Sequence, residues 1–333
     1  MATKTSKYYS LPPVGIGTPW VESLNGYLSR LAEAHCVPTA VLVNQEVSWR
    51  VFRGSTTKLS YPRSLIAVEM IAWGFSESPY VRAAEEITQI LDLHRLTLQG
   101  LVNVFRPHLI IRRTKAWCPE CYASWRCSGV TIYEPLIWEI SALQVCPVHG
   151  CLLADACPTC GGSFHSLSPY IRPGYCARCG SWLGRNKAIQ RGVTDREICH
   201  AQEILAIMKV LQEDGLLAES KARRDFLSDF VSAHYGYDCD PREIFHPYVF
   251  PWREELGRHI RNDRLQAKLE VCRIHGLSLS QLLRGRVQTQ GFRPWSLWTE
   301  RERQDFYYYR QEVEMLPASK PVRVYRPERG VAT

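Results

Sequence analysis

Residues 117–151 read WCPECYASWRCSGVTIYEPLIWEISALQVCPVHGC, and residues 157–182 read CPTCGGSFHSLSPYIRPGYCARCGSW. This stretch carries four pairs of metal-ligand side chains, each at a two-residue gap: Cys118 and Cys121, Cys146 and His149, Cys157 and Cys160, Cys176 and Cys179. The gap lets both side chains of a pair meet one ion on a tight knuckle turn, and two knuckles complete a tetrahedral Zn2+ site. Pairing in chain order predicts one site of three cysteines and a histidine (Cys118, Cys121, Cys146, His149) and one four-cysteine site (Cys157, Cys160, Cys176, Cys179), hence two zinc ions per chain. Each set is full and leaves no position for a reacting water, which marks structural rather than catalytic zinc. Disulfides among the 13 cysteines would need an oxidising compartment. A redox Cys-x-x-Cys is expected singly, beside a βαβ pattern, not as part of a fourfold array. The pairing stays open, because Cys127 and Cys151 lie close enough in sequence to substitute for a ligand. The interval from Cys121 to Cys146 also leaves room for a short hairpin.

Working toward the N-terminus, Arg112, Arg113 and Lys115 form a basic cluster just ahead of Cys118. They read as phosphate contacts or as a solvated strand edge. Between Leu101 and Thr194 ten basic residues face four acidic ones, so much of the net charge of +8 lies on or beside the cysteine-rich stretch. A basic surface of that kind permits nucleic-acid contact without requiring it.

The run ESLNGYLSRLAEAHCVPTAVLV begins at Glu22. Leu24, Tyr27, Leu28 and Leu31 fall at i, i+3, i+4 and i+7 and predict a helix. His35-Cys36-Val37-Pro38 breaks it, and Pro38-Thr39 opens a second helix, giving a helix-turn-helix pattern or a plain αα-hairpin. Residues 1–19, with SLPPVGIGTP, predict an extended arm docked on its own domain or on a partner. Residues 51–115 read as helices and loops, with SLIAVEMIAWGF and VRAAEEITQILDLHRLTLQGLV as the helical segments.

Beyond Thr194, DREICHAQEILAIMKVLQEDG predicts a long helix with Asp195 as its N-cap, and ARRDFLSDFVSAHYG a further one. Cys199 and Cys239 stand alone and read as free thiols. LQAKLEVCRIHGLSLSQLLRGRV then repeats the helix-break-helix pattern. Laying His275-Gly276-Leu277-Ser278 over His35-Cys36-Val37-Pro38 brings Leu282 onto Leu42, with Ser278 as cap of the second helix. Ser280, Gln281, Arg284 and Arg286 then fall on or after a recognition helix. Gln and Arg read adenine and guanine edges in a major groove; the alternative is an exposed polar helix face. The segment GFRPWSLWTERERQDFYYYRQEVEM predicts a closing helix, and SKPVRVYRPERGVAT a basic, proline-punctuated tail.

The fold class expected is therefore mainly α, with small zinc-knuckle or zinc-ribbon modules. Helix-turn-helix units flank a two-zinc centre. The domains expected are 1–111 (arm and helical domain), 112–190 (tandem zinc module) and 191–333 (C-terminal helical domain). No apolar run reaches membrane-span length. The opening MATKTSKYYSLPP has no apolar core and is not a signal peptide, so a cytoplasmic location is expected, nucleoid-associated when the chain is on DNA. There is no GxxxxGK[ST] loop, HExxH or GxSxG, and no carboxylate cluster of the two-metal kind, which points away from an enzyme.

The cysteine-rich stretch also resembles a family. Trp117 ahead of Cys-Pro-x-Cys, Trp138, VCPVHGCLL, CPTCG and the closing CARCG look like the TniQ family. ESLNGYLSRLAEAHCV resembles that family's N-terminal signature, and LHRLTLQGL its approach to the first knuckle. The resemblance implies a non-catalytic target selector of TnsABC-type transposons that recruits the AAA+ regulator TnsC to double-stranded DNA at the insertion point. Two modes follow. The protein either couples a CRISPR effector (Cascade or a Cas nuclease with guide RNA) to TnsC, or reads an attachment site itself as TnsD-type members do. At 333 residues the chain is shorter than typical TnsD-type readers, which leans toward the adaptor. The family also leaves room for a homodimer. From outside the family, a zinc-ribbon or helix-turn-helix transcription factor is the competing reading.

Overall fold

The computed structural model describes residues 8–52, 67–68, 70–71, 78–102, 105, 110–185, 192–214, 265–274 and 278–283. All of them belong to one compact unit of the chain, Met1–Arg223 with Asp263–Val287. Among the described residues the architecture is mainly helical, with isolated β-bridges and no extended strand. No helix among them is long and apolar enough to cross a membrane.

The first helix spans Leu24–Ala34. The Ser23 hydroxyl accepts from the Gly26 amide at 3.0 Å and caps it, a contact of about 1 kcal/mol. Leu24, Tyr27, Leu28 and Leu31 are fully buried, the face that their spacing predicts. Cys36, at φ +54°, turns the chain after the helix. The second helix runs Thr39–Leu42, widens into a π-helical Val43–Ser48 and ends at Trp49–Val51. A third helix, Pro79–Thr88, is capped by the Ser78 hydroxyl and stops where Gln89 takes a left-handed conformation. It is followed by a 3-10 turn at Leu93–Leu96.

The arm from Tyr8 onward docks on its own domain. The Tyr9 ring stacks on His35 at 4.3 Å, and the Arg30 guanidinium donates to the Pro12 carbonyl at 2.8 Å. The same guanidinium holds the fully buried Glu22 carboxylate at 2.7 Å, which also accepts from the Val14 amide. Burial raises the Glu22 pKa against the lowering effect of Arg30.

The long helix spans Asp195–Asp214. Its cap is Thr194 rather than the expected Asp195. The Glu197 amide donates to the Thr194 hydroxyl at 3.3 Å, and the Glu197 carboxylate accepts from the Thr194 amide and hydroxyl, both at 2.9 Å. That reciprocal pattern is a capping box, already written in the sequence as Thr-x-x-Glu. Gln212 near the far end of the helix ties it to the turn at Arg95, donating to the Arg95 carbonyl at 2.9 Å. Helices Leu265–Ile274 and Leu279–Leu283 pack against the long helix through Leu265, Leu269, Cys272, Leu279 and Leu283. Ser278 caps the second of them as expected, accepting from the Gln281 amide at 3.3 Å. The expected helix over 222–236, the closing aromatic helix, the basic tail, Cys239 and His275-Gly276-Leu277 lie outside the described residues.

Candidate metal centres

Three of the four knuckles share one backbone geometry. In each, the amide of the glycine after the second ligand donates back to the carbonyl of the first. Gly150 bonds Cys146 at 2.8 Å, Gly161 bonds Cys157 at 2.8 Å and Gly180 bonds Cys176 at 2.9 Å. These glycines stand at φ +61°, +66° and +72°, a turn that a Cβ would strain, so the sequence closes each knuckle with Gly. The amide of the first ligand then bonds the carbonyl two residues beyond the second: Cys146 to Cys151, Cys157 to Gly162, Cys176 to Ser181.

The fourth knuckle is different. Cys118 is the N-cap of a helix at Pro119–Cys127, its Sγ accepting from the Cys121 amide, with Pro119 at the first helical position. This helix and the 3-10 turn Leu136–Glu139 fill the interval before Cys146, where the spacing alone also leaves room for a hairpin. The hairpin gives way because Tyr122 and Trp125 at helical spacing form one aromatic cluster. Trp125 stacks on Tyr133 at 4.6 Å and on Trp138 at 5.7 Å, and Tyr122 meets Trp138 edge-on at 5.3 Å. Tyr122 also reaches Trp182 beside the second group of cysteines at 5.7 Å. Trp117 is fully buried and stacked on Phe164.

The structure brings the eight predicted residues into two sets, Cys118 with Cys121, Cys146 and His149, and Cys157 with Cys160, Cys176 and Cys179. Within each set all candidate ligand atoms lie within 4.8 Å of one another. A tetrahedral zinc with bonds of about 2.3 Å to sulfur and about 2.0 Å to nitrogen separates its ligand atoms by about 3.8 Å (S to S) and about 3.5 Å (S to N). Cys121 and Cys146 sulfurs stand 3.7 Å apart, and His149 Nδ1 lies 3.5, 3.3 and 3.6 Å from Cys118, Cys121 and Cys146. In the second set the Cys157–Cys179 and Cys160–Cys176 separations are 3.7 and 3.8 Å. Both donor sets fit a tetrahedral ion in chemistry and in spacing, and both can bind metal. Cys118, Cys121 and Cys146 are buried and His149 is exposed; Cys157 and Cys176 are buried and Cys160 and Cys179 exposed. No disulfide links the described cysteines. Cys127 is exposed at the end of its helix, whereas Cys151 lies with its sulfur 3.5 Å from that of Cys118.

The residues expected to touch DNA are divided by the structure. Arg112 turns inward, its Nε donating to the Trp138 carbonyl at 3.1 Å and its Nη2 to the Leu143 carbonyl, and burial lowers its pKa. Lys115 is 4% exposed and ion-paired with Glu134, which also accepts from the Tyr122 hydroxyl at 2.7 and 2.6 Å. Neither Arg112 nor Lys115 therefore presents its charge to a phosphate. Drawing the Lys115 ammonium outward would strand the Glu134 carboxylate in the interior, a larger cost than the pair itself carries. Arg113 is exposed. Ser280 is buried, its amide donating to Glu203 at 2.6 Å and its hydroxyl 2.7 Å from that of Ser278, so its side chain is held in the interior and does not read bases. Gln281 is exposed; Arg284 and Arg286 lie outside the described residues.

Sequence reasoning missed the polar seam that joins the first helix to the knuckles. The Ser23 amide bonds the Glu134 carbonyl and the Leu136 amide bonds the Val21 carbonyl. Gly26 allows this approach, since a Cβ there would sit 2.6 Å from that of Glu134. Glu139, buried and bonded by the Ser166 hydroxyl at 2.9 Å, is pushed up to about 7 by burial. Acidic residues inside the apolar run TIYEPLIWEI were the available signal. The second helix is stitched on in the same way, Thr39 Oγ1 donating to the Ile171 carbonyl at 3.0 Å and the Ala40 amide to that of Pro169. The helix pair thus stands on the loop between the last two knuckles.

No curated protein matches the chain. The TniQ family model matches residues 13–153, from the docked arm through the helix pair to just past the first cluster. By that match the chain carries a TniQ domain over residues 13–153, which supports its assignment to the TniQ family.

Proposed function

We propose that the protein is a non-catalytic target selector of DNA transposition, one that recruits the AAA+ regulator TnsC to the insertion site. Both clusters hold zinc in this reading, as structural ions that fix rigid surfaces for partners. The observation that carries it is the TniQ match over residues 13–153, which spans the helix pair and the first cluster together. The ligand sets are those of the two tetrads, Cys118, Cys121, Cys146 and His149, and Cys157, Cys160, Cys176 and Cys179. The division into 1–111, 112–190 and 191–333 belongs to the same proposal.

Surface chemistry supports separate roles for the two parts. The second helix exposes Val41, Asn44, Gln45 and Trp49, with Trp49 55% accessible. Its one arginine, Arg50, is held by Glu46 at 2.8 Å and Glu86 at 3.7 Å. An apolar and amide-bearing face with its cation already paired suits a protein partner, TnsC or a CRISPR effector, better than phosphate. On the knuckles, Arg113, Arg126 and Arg178 are exposed and suit the DNA backbone. Direct reading of an attachment site, the second mode, falls to exposed Gln281 and the segment after it.

The test is binding of the zinc-loaded chain to attachment-site and random duplex across a salt series, with and without TnsC. TnsC capture together with weak, unselective and steeply salt-dependent DNA binding supports the adaptor. Selective binding that survives physiological salt without TnsC assigns the direct reader instead. Selective DNA binding with no TnsC capture under any condition overturns target selection in favour of a transcription factor.

A further inference from the structure

The three alike knuckles place one position in common beside the metal cluster, the residue two beyond the second ligand. In the last knuckle this is Ser181, whose hydroxyl lies 3.3 Å from the Cys179 sulfur. In the middle knuckle it is Gly162, which offers no donor. In the Cys146–His149 knuckle it is Cys151, whose carbonyl accepts from the Cys146 amide at 2.8 Å and whose sulfur reaches Cys118 at 3.5 Å. That separation is within the about 3.8 Å edge of a zinc–thiolate tetrahedron. Cys151 thus stands as a fifth thiol or imidazole donor beside the first cluster, within reach of Cys118 though outside the four mutually close ligand atoms. The group that Cys151 would displace is His149, the one exposed ligand of its set.

We propose that Cys151 is a reserve ligand of the first cluster, taking the fourth position when the His149 imidazole leaves and converting a site of three thiolates and one imidazole to one of four thiolates. The inference rests on the metal reading given above. Two features favour it. Cys151 is tied to the Cys146 backbone, and the Val145–Leu152 bridge holds the return of the turn, so the thiol is carried on the same rigid knuckle as the ligand it replaces. Cys118, its neighbour, is buried and belongs to the opposite knuckle, so a Cys151 bond still closes the two knuckles on one ion. The second cluster lacks this reserve, because Ser181 is a hydroxyl and a poor zinc ligand beside thiolates.

The experiment loads the full chain with Co2+ and reads metal per chain together with sulfur-to-cobalt charge-transfer absorbance. Wild type should hold two ions. His149→Ala should still hold two, with the charge-transfer intensity of the first site raised by about a third as three thiolates become four. His149→Ala with Cys151→Ser should hold one, and Cys179→Ala, the matching loss in the second cluster, should also hold one. An H149A protein that holds one ion beside a two-ion wild type overturns the reserve role alone; a wild type without metal overturns the metal reading with it. Cys151→Ser by itself keeps every first-choice ligand and provides an independent check. It should surrender the first ion to a chelator several-fold faster than wild type, and an unchanged rate overturns the proposal.

Discussion

Replacing Lys115 with methionine separates the buried role of this residue from the surface role its neighbours suggest. The side chain is 3% exposed and its ammonium is paired with Glu134, itself 10% exposed. Methionine keeps an unbranched apolar stem of similar length in place of a side chain whose ammonium lies 5.9 Å from the ring centroids of Tyr122 and Phe164. It removes the charge together with the hydrogen bond that the ammonium donates to Glu134. A buried carboxylate left without its cation costs about 3–5 kcal/mol. Glu134 keeps the Tyr122 hydroxyl and a 3.3 Å bond from the Gly174 amide, so the lower end, about 3 kcal/mol, is expected. For a unit of this size that is a fall in Tm of roughly 6–12 °C. Adding Glu134→Gln removes the stranded charge and should recover more than half of the loss. Thermal melts of wild type, K115M and K115M/E134Q measure the cycle, and DNA titrations on the same proteins complete it. The salt slope of DNA binding should be the same for all three. A K115M protein that melts with wild type while its salt slope falls by about one unit would place the ammonium on a phosphate and refute the buried pair.

Cys157→Ser, at a fully enclosed ligand of the second cluster, should lower bound metal by one ion per chain and leave the far-ultraviolet signal of the first helices in place; unchanged metal content would remove Cys157 from the ligand set. Glu139, pushed from 4.5 up to about 7, carries a proton in the folded state that the unfolded state has lost between those values, so stability falls as pH rises through that window. Glu139→Gln does not titrate, and its advantage over wild type should grow to about 2–3 kcal/mol by about pH 7.5 in denaturant melts; parallel stability–pH curves would contradict this. Thr194→Ala breaks the capping box of the long helix and should cost about 1 kcal/mol, seen as faster amide exchange over the first turn, residues 195–198. Unaltered exchange there would return the cap to Asp195.

What could be read without a structure was local. A two-residue gap with a glycine behind it encodes a knuckle, because both ligands and the turn lie within five residues. Leu24, Tyr27, Leu28 and Leu31 encode one helix face for the same reason, and Thr194 with Glu197 encodes a cap. The fates of Arg112 and Lys115 were not local. Arg-Arg-Thr-Lys reads as surface until the chain returns with Glu134 and the Trp138 and Leu143 carbonyls, which take two of its three charges inside. Ser280 is likewise withdrawn by Glu203, 77 residues earlier. Cys151 was one of two spare cysteines by sequence, and only the meeting of two knuckles set its sulfur beside Cys118 and left Cys127 on the surface. Short-range spacing thus wrote the candidate metal ligands and the helix faces into the chain, while burial, which depends on what returns from far along it, decided which charges and thiols serve the interior and which stay exposed.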